Sequence, residues 1–410
     1  AMYIRRQMEE LFLETSSCFK AVLLTGPRQV GKTSMLKHLQ DTTGVRTYVS
    51  MDDDAQRRIA REDPSLFFQM FKPPMIIDEV QKAPELFEQI KLICDESEGN
   101  GLFWLTGSQQ FGLLKNVSET LTGRIAILNL YGLSADERYG LVSDEDIDFS
   151  FGFLSSYCGT RPSVEVTDLY DRIWKGGYPA VVNMSPRMRK VYYDSYIDTY
   201  LMRDVLEDAG VKDVYKFKKF LTACAAISSN LVNYATLADV ASISQPTAKS
   251  WLGILESLGI VFLLNVYSNN LLTSAIKTPK LYFWDTGLCA YLCGWENPQT
   301  LCFGASSGAF LENYVISELI KGCIYRGSQS KFYYYRDKAG REIVLVIERN
   351  QMITPIEIKR TASPTKAMAS SFSSLKVVPP YSMGNGAIIC SQSKVLMLSE
   401  NLLSVPVSVV

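Results

Sequence analysis

Between the apolar run Ala21-Val22-Leu23-Leu24-Thr25 and a helical pattern with Met35, Leu36 and Leu39 on one face stands Gly26-Pro27-Arg28-Gln29-Val30-Gly31-Lys32-Thr33. These residues fit the pattern G-x-x-x-x-G-K-[ST] in full, in the strand–loop–helix setting that gives the pattern its meaning. Glycines let the backbone turn so that its N–H groups face phosphate oxygens. Lys32 supplies a point charge at the β- and γ-phosphates, Thr33 a hydroxyl for Mg²⁺, and the helix N-terminus a further preference for an anion. The expected nucleotide contacts are Gly26, Pro27, Arg28, Gln29, Val30, Gly31, Lys32, Thr33 and Ser34, with ATP and Mg²⁺ as ligands. The plainer alternative is a glycine-rich structural turn.

The surrounding residues sharpen this reading. Strands are expected at 47–50, 74–78, 102–106 and 125–130, with a helix opened by Pro84 that carries Leu86, Phe87, Ile90, Ile93 and Cys94 on one stripe. Such alternation predicts a parallel sheet covered on both faces. Met75-Ile76-Ile77-Asp78-Glu79 is an apolar strand ending in two acids. Asp78 would hold magnesium through water, and Glu79 would polarise the attacking water. A solvated strand end is the alternative. After the fourth strand comes Thr106-Gly107-Ser108-Gln109-Gln110, where Ser108, or in second place Gln109, can sense the γ-phosphate; a capped loop is the competing reading. Arg124, after a glycine turn, is either an arginine finger acting in cis or across a subunit interface, or a structural ion pair. Arg28 and Arg203 are the other arginine candidates.

Composition narrows the remaining chemistry. The chain has 410 residues, enough for two or three domains, and a formal net charge of −1, so no overall basic field advertises nucleic acid. A single histidine, His38, argues against a Ser-His-Asp triad or a multi-histidine metal site. Nine scattered cysteines and no leader pattern predict a reducing cytoplasm, and no apolar run is long enough for a membrane span. Ala1, before Met2, reads as a cloning remnant.

Residues 139–165, with the run Asp144-Glu145-Asp146-Ile147-Asp148, read as a boundary or as an insertion within one domain. Residues 166–229 look helical around Gly176-Gly177-Tyr178-Pro179. A short helix at 236–241, a turn, a helix capped by Ser244 with Ala248, Trp251, Leu252, Leu255 and Leu258 on one face, and strands at 261–266 and 280–284 give the layout of a winged helix. Its presumed recognition helix, Pro246 to Leu258, carries only Lys249 as a cation, which leaves DNA binding and a structural role both open. The last hundred residues read as α/β, with a helix at 310–320 and strands at 331–335, 342–348, 355–359, 386–390 and 395–398.

The motifs at 26–33, 77–81 and 105–110 resemble a large prokaryotic group of AAA-superfamily ATPases in which a C-terminal domain of unknown function follows the ATPase domain. The resemblance continues through 176–179, Tyr200-Leu201-Met202-Arg203-Asp204-Val205, and 279–288. It implies an AAA-type P-loop fold, magnesium-dependent ATP hydrolysis, and a C-terminal module similar to PD-(D/E)XK nucleases. In such a module Glu357 and Lys359 would form the E-x-K element and Glu312 the helix carboxylate. The family pattern has Asp where this chain has Val344, with Glu342 two positions away on the same strand face, so the metal site is expected to be degenerate.

The expectation is therefore an α/β chain in three parts. They are an AAA-type P-loop domain over 2–138, a helical and winged-helix-like domain over 139–300, and a small nuclease-like α/β domain over 301–410. The expected activity is Mg²⁺-dependent ATP hydrolysis in the cytoplasm. Nucleotide is the ligand, DNA, a protein or a second copy are candidate partners, and no membrane is involved. A nucleotide-dependent switch with little turnover and an ATP-regulated nuclease are the alternatives.

Overall fold

The computed structural model describes residues 3–108, 111–207, 210–268 and 278–410. Five strands, β1 Ala21–Gly26, β2 Thr47–Ser50, β3 Met75–Asp78, β4 Phe103–Ser108 and β5 Ile125–Asn129, form one parallel sheet in the order β2-β3-β4-β1-β5. Side chains alternate between two cores. Val22 and Leu24 face one with Met35 and Leu36, whereas Ala21 and Leu23 face the other with Ile77 and Leu105. Of these strands β1, β3 and β4 are buried along their whole length, which explains why they read as largely apolar runs. Because the strands are parallel, their C-terminal ends lie together. Gly26 is in register with Ser108, and β3 ends beside them across β4.

Helices follow from Phe151 to Ala226. One of them, Phe151–Gly159, lies in the stretch expected to be irregular. Its sequence is rich in Ser and Gly and lacks a clean stripe, but Ser150 caps it by accepting the Phe153 N–H. Three helices, Val214–Ala226, Tyr234–Ala241 and Gln245–Ser257, then precede the antiparallel pair β6 Val261–Leu264 and β7 Lys280–Phe283. Ser242 takes a left-handed φ of 54° between the second and third, and Ser244 accepts the Thr247 N–H at 3.2 Å.

The helix Ser307–Arg326 packs on a second sheet of β8 Lys331–Arg336, β9 Glu342–Arg349, β10 Met352–Lys359, β11 Ser382–Met383, β12 Gly386–Cys390, β13 Leu396–Ser399 and β14 Leu402–Pro406. Its order is β13-β14-β12-β10-β9-β8, with β11 beside β10. A single core runs from Val22 of the first sheet through Phe217 and Tyr282 to Val405 of the second. Among the described residues no helix is long and apolar enough to cross a membrane.

Candidate phosphate site

At the end of β1 the chain must turn sharply, and Gly26 has φ 145°; a Cβ there would lie 1.9 Å from the Leu130 carbonyl oxygen. Gln29 follows at φ 66° and Gly31 at φ 94°. The helix Lys32–Thr43 then starts with no side chain capping it, so its first N–H groups face outward toward an anion. Arg6 holds the loop from behind. Its buried guanidinium donates to the Val30 carbonyl at 2.7 Å, the Tyr131 carbonyl at 2.9 Å and Glu137 at 2.9 Å. Sequence reading missed this residue, since its partners lie far along the chain.

Lys32 arches over the loop and donates to the Gly26 carbonyl at 3.0 Å and the Pro27 carbonyl at 2.7 Å. Burial lowers its pKa to about 8, against the upward pull of Glu79. A bound phosphate would raise that pKa, because an anion favours the ammonium. Affinity supplied by Lys32 is then fully present below pH 8 and falls as pH rises above it. A titration of ATP against the protein from pH 7 to 9.5 should show the dissociation constant rising toward about tenfold per unit at the alkaline end. A flat profile would place the nucleotide away from Lys32.

Thr33 Oγ1 donates to Asp78 Oδ1 at 2.7 Å, and Tyr48 donates its hydroxyl to Asp78 Oδ2 at 2.9 Å. Thr106 also donates to Asp78. Asp78 is buried, and these three hydroxyls fix its carboxylate. The sequence reading gave Tyr48, inside β2, and Thr106, inside β4, no part in holding Asp78.

Glu79 sits in the left-handed region at φ 56°, a strain on the order of 1 kcal/mol for a residue with a Cβ. Its N–H is taken by Thr106 Oγ1 at 3.1 Å. Gln81 links its carboxylate to the third motif, donating both to Glu79 and to Ser108 Oγ, the latter at 3.0 Å. Gln81 is a further residue that the sequence reading left without a role. Gln109 lies outside the described residues.

Arg28 donates to Asp204 through Nε at 2.7 Å and Nη2 at 2.7 Å, and its Nη1 lies 3.9 Å from Glu79. Arg203, next to Asp204, is exposed.

Arg124 requires a correction. It directly precedes β5, and its carbonyl accepts the N–H of Ala21 at the start of β1. It therefore sits at the N-terminal end of the sheet, roughly 16 Å of strand away from the P-loop. There it forms a two-point ion pair with Asp95, at 2.5 and 3.0 Å. A finger acting on its own P-loop is excluded, and the structural ion pair is what is found.

The C-terminal carboxylates are joined by a residue that the sequence reading did not connect to them. Lys280 of β7 inserts its ammonium between Glu312 at 3.0 Å and Glu342 at 2.7 Å, and Tyr282 donates to Glu312 at 2.7 Å. Burial works against this ammonium, but Glu312 and Glu342 outweigh it and keep it charged. Glu357 pairs with Lys359 at 2.9 Å, and burial raises its pKa. Among the described residues no group of three or more acidic, histidine or cysteine side chains could hold a metal. The expected degenerate metal site is thus closed by a lysine that came from another part of the chain.

Three family models match the chain in series. Residues 19–139 match an AAA domain, residues 166–299 a domain of unknown function (DUF8612), and residues 307–409 another domain of unknown function (DUF4143). An uncharacterized protein of Mycobacterium tuberculosis is 27% identical over 390 residues, covering 94% of this chain and 79% of that protein. One of Haemophilus influenzae is 23% identical over 323 residues, covering 73% and 74%. Among solved structures, a Walker-type ATPase of Pyrococcus abyssi aligns at a TM-score of 0.44 and 15% identity, covering 71% of this chain and 96% of that one. A Thermotoga maritima RuvB variant aligns at 0.29 and 15%, covering 62% and 86%. The AAA-domain match and the parallel sheet with its phosphate loop agree that residues 19–139 are an AAA-type P-loop domain.

Proposed function

We propose that this chain binds ATP at the loop Gly26–Thr33 and hydrolyses it with Mg²⁺. The observation that carries the reading is the convergence of Lys32, Thr33, Asp78, Glu79 and Ser108 at one end of the parallel sheet. The donor set fits magnesium, since Thr33 and Asp78 offer oxygen and a hard cation of this kind takes few protein ligands beside water and phosphate. When bound, Mg²⁺ would neutralise charge on the β- and γ-phosphate oxygens.

The residues then divide the work. The N–H groups of the loop and Lys32 hold the triphosphate. Thr33 and Asp78 would hold the metal. Glu79 takes a proton from water as its oxygen bonds to the γ-phosphorus and the bond to the bridging oxygen breaks, releasing ADP and phosphate. Ser108 reads the γ-phosphate, and Gln81 ties that reading to Glu79. In a phosphate-release assay, wild-type protein should turn over ATP with Mg²⁺ and stop when EDTA is in excess. Equal release with EDTA would contradict the metal assignment.

The division into an ATPase part to residue 138, a middle part to 300 and a C-terminal part is proposed as three segments sharing one core. The helix–turn–helix and ribbon of the middle part support a winged-helix-like interaction module. The described outer face of Gln245–Ser257 offers Gln245, Lys249 and Ser250, a sparse set for reading DNA. Lys280 favours reading the C-terminal part as a packing scaffold over a nuclease. Nine free cysteines fit a reducing cytoplasm.

A further inference from the structure

The phosphate loop is not made by the AAA segment alone. Asp204 lies 176 positions beyond Arg28 and is 5% exposed, and its carboxylate accepts from the Nε and Nη2 of that one guanidinium. Two features bring it there. Residues Tyr196–Leu201 are wound as a π-helix directly before the helix Met202–Glu207, a widening that often marks functional positions. Tyr178 donates its hydroxyl to Tyr196 at 2.9 Å, and the turn that holds Tyr178 also places Pro179 beside Gly31, 3.8 Å from where a Cβ would stand. The middle segment therefore touches the phosphate loop at two points, Gly31 and Arg28.

We propose that Asp204 is a positioning residue for Arg28, and that Arg28 is the arginine that meets the γ-phosphate. The proposal rests on the ATPase reading above. A free arginine carries about 2 kcal/mol of rotamer entropy, which a fixed partner removes before reaction. Asp204 grips two donors in fork geometry and leaves Nη1 on the side of Glu79, where the water-activating carboxylate stands. The sign of the charges fixes the order. A buried Asp204 next to a triphosphate would repel it, so Arg28 must remain between the two anions. Asp204 thus acts through Arg28, whose guanidinium stabilises charge that builds on the transferring phosphoryl group. Hydrolysis then depends on a side chain supplied by the middle segment, and a shift of the helix Met202–Glu207 would withdraw it.

The test compares the steady-state kinetics of full-length wild type with those of Asp204→Ala, Asp204→Glu, Arg28→Ala and the double variant Arg28→Ala/Asp204→Ala. Thermal unfolding checks that each is folded. Asp204→Ala should lower kcat by about tenfold to 100-fold, the cost of a misplaced catalytic group, with KM within about threefold. Arg28→Ala should lose at least as much, and the double variant, which leaves no unpaired buried carboxylate, no more than Arg28→Ala alone. Asp204→Glu should recover part of the loss. A purely structural Asp204 would lower thermal stability without splitting kcat from KM, and its effect would add to that of Arg28→Ala. Unchanged or faster turnover in folded Asp204→Ala, or additive losses, would overturn the assignment while wild-type hydrolysis stood. A wild type that neither binds nor hydrolyses ATP would remove the ATPase reading and this assignment with it.

Discussion

Glu79→Gln should lower ATP turnover by about 10²- to 10⁴-fold, the usual range for removing a general base, while ATP affinity stays within a few-fold. The expectation follows from where the residue sits. Its backbone is fixed at φ 56° by the end of β3 and by the Thr106 hydroxyl, so an amide in place of the carboxylate keeps the same path. The amide oxygen can still accept from Gln81. What is lost is a group able to take a proton. A phosphate-release assay gives the first quantity, and a fluorescent-nucleotide titration gives the second. Release equal to wild type would take Glu79 out of the mechanism and favour a binding switch with little turnover.

The second large effect is on binding. Lys32→Met keeps much of the apolar stem but removes the cation that arches across the loop onto the Gly26 and Pro27 carbonyls. Losing a buried, hydrogen-bonded charge partner costs about 2–5 kcal/mol, so the ATP dissociation constant should rise at least roughly 30-fold. Isothermal titration calorimetry at pH 7 measures this directly. The variant should also lose most of the alkaline fall in affinity, because that fall belongs to the Lys32 ammonium. An affinity within threefold of wild type would place the triphosphate elsewhere.

Some of this site was legible from the sequence because its parts are local. The loop at 26–33 and the acid pair at 78–79 are each set by adjacent residues on a strand end, and parallel pairing carries them to one place. The inner strands β1, β3 and β4 were readable because burial on both faces leaves short apolar runs. Contacts that span the chain were not readable. Arg6 holds Val30, Asp204 holds Arg28, and Lys280 separates Glu312 from Glu342. Nothing near these residues in sequence announces a partner. Arg124 shows the opposite error: a glycine turn before an arginine suggested a finger, but the strand that follows starts at the far end of the sheet. The helix Phe151–Gly159 was missed because Ser, Gly and aromatic residues blur its stripe, and β14 because Ser404 and Pro406 interrupt an apolar run.

The central claim is that the triphosphate sits on the loop with its γ-phosphate facing Glu79. A crystal structure of the full chain with Mg²⁺ and a non-hydrolysable ATP analogue tests it most directly. The account predicts phosphates against Lys32 and the N–H groups of Gly31 to Thr33, the metal at Thr33 and Asp78, and Arg28 at the γ-phosphate with Asp204 still behind it. A nucleotide bound elsewhere, or one whose γ-phosphate points away from Glu79 and Ser108, would contradict it.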